Sequence, residues 1–483
     1  MMNLEPPSEE LLAALEALLG PGGFTRDPAD MQPWLMDWRG RVQGSAAAML
    51  SPRSREEVVE IVRWAGRGRV AIVPQGGNTS MVAGATPAAG ALLLSLRRMK
   101  TIRSLSADDN IAVVEAGVIL SDLHDAAAAI GRRFPLSLAA KGSATIGGLI
   151  STNAGGTQVL RFGPMRSLVL GIEAVLPDGG LFEGLSALRK DNRGYDLRQL
   201  LAGAEGTLGI VTAAALGLVP AIGTRAVAWA GLSSPENALR LLRMLEGRLG
   251  DSIEGFELVP AAALDLVIRH IPGARNPLAT RQMWNVLVEM TAPEGAPDPM
   301  DPLSAALGEA IEMGIVEDAT IAANEAQAEA LWALRENVSE AERVDGMSVK
   351  HDISVPVSKM PAFMVDAAGE VERVFAGVRV LAFGHLGDGN VHFNVRAPGG
   401  SDSEAWFGDQ NKAISHLVHD LVTAAGGSLS AEHGIGQLKL DEFARLAGPV
   451  RLQMMRALKD ALDPQGIMNP GKLVPLAHCN TSP

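Results

Sequence analysis

Val70-Ala71-Ile72-Val73-Pro74-Gln75-Gly76-Gly77-Asn78-Thr79-Ser80 is the stretch that decides the fold. Residues 70–73 form an apolar, β-branched run that reads as a buried strand, and Pro74 and the glycines end it. The loop that follows offers consecutive backbone N–H groups with no side chain in the way, a nest for an anion such as a pyrophosphate. It is neither a Walker loop nor a G-x-G-x-x-G, and neither pattern occurs elsewhere in the chain, which disfavours the nucleotide folds built on them. Just upstream, Ser54-Arg55-Glu56-Glu57 is a capping box for a helix whose buried stripe is Val58, Ile61, Val62 and Ala65. Downstream lie two more Gly/Ser/Thr loops. One is Lys141-Gly142-Ser143-Ala144-Thr145-Ile146-Gly147-Gly148 with Ser151-Thr152-Asn153-Ala154-Gly155-Gly156; the other is Gly203-Ala204-Glu205-Gly206-Thr207-Leu208-Gly209-Ile210-Val211-Thr212. One such loop is usually a turn, whereas three within about 140 residues imply a long ligand threaded between backbone segments.

The 483 residues exceed one ordinary core, so two or three domains are expected. With 53 glycines, 4% aromatics and 47% hydrophobics, the chain reads as a glycine-looped α/β or α+β enzyme. A net charge of −13 argues against a nucleic-acid surface. The lone Cys479 supplies no disulfide framework and fits a reducing compartment. Met1-Met2-Asn3-Leu4-Glu5 lacks the basic opening of a secretory signal. A long uncharged run, 206–224, is interrupted by glycines, threonines and Pro220 and reads as buried strands rather than a membrane span. A cytoplasmic protein is expected. Periodicity places helices at 8–19, 236–248, 322–339 and 404–424, and strands at 226–232, 283–290 and 347–355, with a different domain starting near 226.

The chemistry concentrates in Phe383-Gly384-His385-Leu386-Gly387-Asp388-Gly389-Asn390-Val391-His392-Phe393-Asn394-Val395 and in Glu432-His433-Gly434. Along 391–395, His392 and Asn394 share one strand face, and Val391, Phe393 and Val395 share the packing face. His385 and His392 would oppose each other on an unbroken strand, but the Gly-Asp-Gly-Asn between them can reverse the chain and bring both rings together. Two imidazoles and a carboxylate suit a catalytic divalent metal such as Zn, Mn or Fe. The alternative is a satisfied hairpin with core histidines. Arg335 precedes Ser339 by one helical turn, and Lys350 alternates with Ser348 and Asp352 opposite Val349, Ile353 and Val355. Both cations also admit a reading as surface charges. His416 and His419 have a possible metal spacing, but the stripe Ile414, Leu417, Val418 and Leu421 leaves both in solvent. His351 reads as a packed histidine and Asp388 as a turn residue, while His124, His270 and His478 carry no supporting pattern.

The glycine loops resemble those of flavin-dependent oxidases and dehydrogenases of the vanillyl-alcohol oxidase type. The resemblance implies an α+β fold: a helical segment at 1–37, a two-subdomain PCMH-type FAD-binding domain at 38–217, and a FAD-linked oxidase C-terminal domain at 222–474. That last domain carries an antiparallel sheet with helices, and residues from about 426 return to the flavin domain. Within this superfamily, His-x-x-Gly-Asp-Gly-Asn-x-His paired with Glu-His-Gly-Ile-Gly resembles the D-2-hydroxyacid dehydrogenases, those acting on D-2-hydroxyglutarate first and on D-lactate next. The resemblance implies that Pro74, Gln75, Gly76, Gly77, Asn78, Thr79 and Ser80 hold the pyrophosphate of FAD. Lys141, Gly142, Ser143, Thr145, Gly148, Ser151, Thr152, Asn153, Gly155, Glu205, Gly206, Ile210 and Asn469 would line the rest of it. It assigns His385, His392 and Glu432 to one divalent metal, Arg335, Ser339, Lys350, Asn394 and His433 to substrate, and the catalytic base to His433. Asn78 stands where members with covalent flavin often carry His, so a non-covalent FAD is expected.

A metal chelating the C1 carboxylate and the 2-hydroxyl leaves Arg335 and Lys350 for a second carboxylate, as in D-2-hydroxyglutarate or D-malate. The runner-up is oxidation of D-lactate or glycolate. From other classes come a non-redox flavin transferase like alkylglycerone-phosphate synthase and a binding module without turnover. Expected partners are an electron-transfer flavoprotein, a quinone or a cytochrome as electron acceptor, and a second copy in a homodimer.

Overall fold

The computed structural model describes residues 4–188 and 190–475. Met1, Met2 and Asn3 of the N-terminal opening, and His478 and Cys479, lie outside them. Residue contacts divide the chain into two units. The first comprises the chain up to Gly156, Gly163–Pro220 and everything from Glu432 on; the second comprises Thr157–Phe162 and Ala221–Ala431.

In the first unit, Ala46–Leu50, Ala91–Ser95 and Ile72–Gln75 pair in parallel, with Phe24–Thr25 antiparallel at the far edge. Residues 467–469 run alongside Ile72–Gln75: Ile72 N donates to Ile467 O (2.8 Å) and Asn469 N to Ile72 O (2.8 Å). A second sheet orders Ile102–Ser106, Ile111–Glu115, Ile210–Gly217, Val169–Val175 and Leu181–Gly184, antiparallel throughout. The helix Arg55–Gly68 shares its core with both sheets, its stripe Val58, Ile61, Val62 and Ala65 being fully buried. Its cap differs from the reciprocal box. Ser54 Oγ accepts from Glu57 N (3.3 Å), but Glu57 Oε2 accepts from Arg53 N (2.6 Å), one residue before the cap. The strand after it starts at Ile72, not at residue 70, because the left-handed Arg69 (φ 52°) closes the helix and Val70 N is spent on Ala65 O (2.9 Å). The uncharged run 206–224 supplies the fully buried part of Ile210–Gly217, and among the described residues no helix is long and apolar enough to cross a membrane.

The second unit is built on a seven-stranded antiparallel sheet. Its order is Asp318–Ile321, Ile222–Leu232, Trp284–Pro293, Ile253–Pro260, Arg379–His385, Asn390–Arg396 and Ser348–Ser354. Helices Pro235–Leu249, Met300–Glu312, Met360–Val374 and Ser403–Ala424 cover one face, where Val391, Phe393, Val395, Val349, Ile353 and Val355 are buried. Ala261–His270, Glu325–Glu336 and Val338–Asp345 cover the other face over Trp229, Leu287, Leu381 and Phe383. The single helix expected over 322–339 is two, broken at Asn337, whose Nδ2 donates back to Ala333 O (2.8 Å) and caps the first.

Candidate functional site

A cavity of about 570 Å³ opens in the first unit, walled by the loop after Ile72–Gln75, by residues 138–145 leading into Ile146–Thr152, and by residues 205–211. The glycines let two backbones touch. A Cβ on Gly77 would lie 1.8 Å from Ser143 O, and one on Gly76 2.1 Å from Thr145 Oγ1. Gln75 is buried and its Nε2 donates to Trp34 O (2.9 Å), Ala85 O (3.1 Å) and Asn78 Oδ1 (3.3 Å). Asn78, left-handed at φ 53°, donates its Nδ2 to Met36 O (2.9 Å). Gln75 Oε1 and Thr145 Oγ1 are buried on this wall with no protein partner. Side-chain-free backbone, close-set loops and two orphaned polar atoms fit an elongated polar cofactor such as FAD.

Most residues expected at the cofactor line this cavity: Pro74, Gln75, Gly76, Gly77, Asn78, Thr79, Ser80, Gly142, Ser143, Thr145, Gly148, Ser151, Thr152, Gly155, Glu205, Gly206 and Ile210. Three stand off the wall. Lys141 is exposed. Asn153 ends its helix at φ 49° and accepts from Arg166 N (2.9 Å). Asn469 ties two loops together, its Nδ2 donating to Gly84 O (3.0 Å) and Glu205 O (2.7 Å). Trp38, Met81 and Leu138 also line the cavity, and no periodicity or motif marks them in the sequence.

The same cavity is lined by Glu432 and His433. Their loop is held by Glu205, left-handed at φ 49°, whose carboxylate accepts from Ile435 N (2.8 Å) and Gly436 N (2.7 Å). Gly434 (φ 79°) admits the approach, since a Cβ there would sit 2.8 Å from Glu205 Oε1. Burial raises the Glu205 pKa above the ordinary carboxylate value, against the pull of those two N–H groups.

In the second unit the hairpin does what its turn chemistry implies. Arg379–His385 and Asn390–Arg396 pair with His385 opposite Asn390 and Phe383 opposite His392, so both imidazoles lie on one face with centroids 5.5 Å apart. Asp388 holds the turn, its Oδ1 accepting from Asn390 N (2.9 Å). Neighbouring strands add Glu257, opposite His385, and Asp352, opposite His392. Glu257 is fully buried. Its Oε1 accepts from His385 Nδ1 (2.5 Å) and its Oε2 from Arg335 Nε (2.8 Å), while the Arg335 guanidinium lies 4.9 Å over the Phe383 ring. Burial drives the Glu257 pKa up, but the charges and hydrogen bonds of His385 and Arg335 outweigh it and hold the carboxyl at about 2. A second buried carboxylate, Glu342, accepts from Asn394 Nδ2 (2.8 Å) and pairs with Lys350 Nζ (3.0 Å) through the same oxygen.

Arg335 is thus a buried, anchored cation and Lys350 a half-buried one, not surface charges. Ser339 does not share the environment of Arg335: it is exposed, beyond the break at Asn337. His416 and His419 are not both in solvent either. His419 is buried edge-on to His351 (centroids 5.4 Å), because Ser403–Ala424 packs this side against Ser348–Ser354; His351 itself is packed as expected. Sequence reading missed Glu257 and Glu342, although the two carboxylates Glu254 and Glu257 inside the otherwise apolar, buried strand Ile253–Pro260 are a signal that partners must exist.

Residues 223–473 match the family described as "FAD linked oxidases, C-terminal domain", and residues 46–184 match "FAD binding domain". The chain belongs to the FAD-linked oxidases. It is therefore a flavoprotein oxidoreductase. It is 39% identical over 468 residues to the mitochondrial D-2-hydroxyglutarate dehydrogenase of Bos taurus, covering 97% of this chain and 84% of that one. It is 37% identical over 447 residues to the D-2-hydroxyglutarate dehydrogenase of Xanthomonas citri pv. viticola, covering 92% and 93%. Among solved structures, alkyldihydroxyacetonephosphate synthase superposes with a TM-score of 0.73 at 16% identity, over 98% of this chain and 88% of that one. The fold is the two-domain PCMH type, with helices and antiparallel sheets. The cytoplasmic expectation is corrected by the relatives, since those from animals and plants are named mitochondrial. A lone cysteine separates reducing from oxidising compartments, not one reducing compartment from another.

Proposed function

We propose that the chain is an FAD- and metal-dependent dehydrogenase that oxidises a D-2-hydroxy dicarboxylate, D-2-hydroxyglutarate first, to the 2-oxoacid. The observation that carries it is Arg335, a guanidinium fixed by Glu257 and Phe383 on the sheet face that also bears His385, His392, Lys350 and Asn394. Such a cation recognises a carboxylate. The relatives from Bos taurus and Xanthomonas citri support this substrate by their names.

Bound FAD supplies the acceptor for the hydride leaving the substrate carbon. Gln75 and Thr145 offer it polar atoms, and Asn78, with no ring nitrogen and its amide held on Met36 O, leaves it non-covalent. His433, on the cavity wall, takes the hydroxyl proton. His385 and His392 fit a divalent metal such as zinc: Glu257 engages Nδ1 of His385, which leaves Nε2 as its ligand atom. The resemblance assigns Glu432 to the same ion. When bound, the metal supplies Lewis acidity toward the hydroxyl. Lys350 and Asn394, both steadied by Glu342, complete the polar face for the anionic substrate.

Anaerobic mixing of the yellow protein with D- and L-2-hydroxyacids tests the reading. D-2-hydroxyglutarate should bleach the flavin faster than D-lactate, and the L-enantiomers should not bleach it. Arg335→Ala should lower kcat/KM for D-2-hydroxyglutarate by about ten- to a hundredfold, the worth of a lost charge-assisted hydrogen bond, and should spare D-lactate. A protein that stays yellow with every D-2-hydroxyacid refutes the dehydrogenase. Equal losses on both substrates favour the monocarboxylate alternative, D-lactate or glycolate.

A further inference from the structure

We infer that Glu257 is a positioning residue shared by the metal-ligating and substrate-binding halves of the site, one buried carboxylate setting both the orientation of His385 and the place of Arg335. The inference rests on the reading above, in which His385 ligates metal and Arg335 meets the distal carboxylate of the substrate.

Glu257 sits in the strand Ile253–Pro260, buried along nearly its whole length, directly opposite His385 in register. A carboxylate with no exposed surface persists only if its oxygens are paired. Each oxygen here has one partner, and the two partners belong to different functions: Oε1 accepts from His385 Nδ1 (2.5 Å) and Oε2 from Arg335 Nε (2.8 Å). For the imidazole, occupation of Nδ1 fixes the tautomer and turns Nε2 into the metal-facing atom. For the guanidinium, the Nε bond and the stack on Phe383 fix the plane, while no described residue hydrogen-bonds either Nη group. With Nε taken, the two Nη groups still offer a parallel pair of N–H donors that can grip a second carboxylate end-on. Nothing else described holds both groups, so a change at Glu257 reaches metal affinity and substrate choice together.

The experiment compares wild type, Glu257→Gln, Glu257→Asp, Arg335→Ala and the double variant Glu257→Gln/Arg335→Ala as FAD-loaded proteins. It reads FAD per chain, Zn2+ retention against a competing chelator, and the ratio of kcat/KM for D-2-hydroxyglutarate to that for D-lactate. Glutamine keeps the volume but puts an N–H donor where an oxygen accepted one, so one partner must lose its bond. Glu257→Gln should keep its FAD, lose roughly ten- to a hundredfold in zinc affinity, and lose roughly tenfold or more in dicarboxylate preference. Glu257→Asp, charged but one methylene shorter, should be intermediate in both.

Because Glu257 reaches the substrate only through Arg335, the double variant should show the same preference as Arg335→Ala alone. A purely structural role would lower FAD content and melting temperature and leave the preference in place. Wild-type zinc affinity or wild-type preference in Glu257→Gln overturns the inference, and so does a double variant that loses preference beyond Arg335→Ala. Should neither Glu257 variant load flavin, Arg335→Ala decides. With its second donor gone, Glu257 binds Nδ1 more firmly and zinc retention should rise, and unchanged retention overturns the inference. A wild-type enzyme without zinc or without dicarboxylate preference overturns the proposed function and this inference with it. An unmoved Glu257→Gln beside a zinc-loaded, selective wild type overturns this inference alone.

Discussion

Gly77→Ala probes the cofactor cavity at its tightest point. The added methyl would stand 1.8 Å from Ser143 O and 2.8 Å from Ser143 C. The nearer contact is roughly 1.7 Å inside the carbon–heavy-atom optimum. Both obstacles are backbone, so no rotamer change relieves them, and the loops at 74–80 and 138–145 must part. Overpacking a core costs about 1–3 kcal/mol, and a backbone obstacle puts this case at the upper end. Since those loops are two walls of one cavity, the cost should appear as lost FAD affinity. About 3 kcal/mol is a little over a hundredfold in Kd. The assay is flavin per chain after gel filtration, followed by titration of apoprotein with FAD. Gly448→Ala is the matched control, in the same unit but off the cavity wall, with nothing within 4 Å of the new methyl. It should bind FAD like wild type. Wild-type affinity in Gly77→Ala, or an equal loss in Gly448→Ala, would refute the close-approach argument.

Three further outcomes are expected. His433→Asn should keep its FAD and slow anaerobic flavin reduction by roughly a hundredfold to ten-thousandfold, the worth of a general base; stopped-flow rates near wild type place the proton acceptor elsewhere. Dialysis against chelator should remove metal and activity together while the flavin absorbance stays, and full activity in a protein shown to be metal-free sinks the metal proposal. The Glu257 carboxyl, raised by burial but held at about 2 by His385 and Arg335 against an ordinary 4.5, binds fewer protons folded than unfolded. Its contribution to stability is therefore complete above pH 4.5 and lost as pH falls toward 2. The gap in melting temperature between wild type and Glu257→Gln should close across that window, and a gap independent of pH contradicts the assignment.

What the sequence reveals follows from what is local. Strand alternation placed Val391, Phe393 and Val395 on the packed face and the histidines on the other, because a period of two leaves no third choice. The turn Gly-Asp-Gly-Asn gave the hairpin, and the glycine loops gave the cavity wall. What escaped depends on partners far along the chain. Glu257 meets His385 across 128 residues and Glu342 meets Asn394 across 52, distances no motif spans. The same long-range packing buries His419 against His351, where helix periodicity alone leaves it in solvent. At 322–339 a helical pattern runs on through Asn337, but the side chain there bonds its own backbone and splits the helix.

The short return of residues 467–469 beside Ile72–Gln75 has a consequence for biosynthesis. The flavin cavity takes its walls from the first half of the chain and from Glu432 and His433 near the other end, with nearly all of the second unit translated in between. Until Ile467 emerges from the ribosome, Ile72–Gln75 waits as an open sheet edge, the feature that invites pairing with a stranger. Flavin capture is thereby tied to the emergence of residues 467–469. A chain stalled between the second unit and Ile467 is exposed to aggregation before it can hold its cofactor, so supply of FAD matters most once that segment is out.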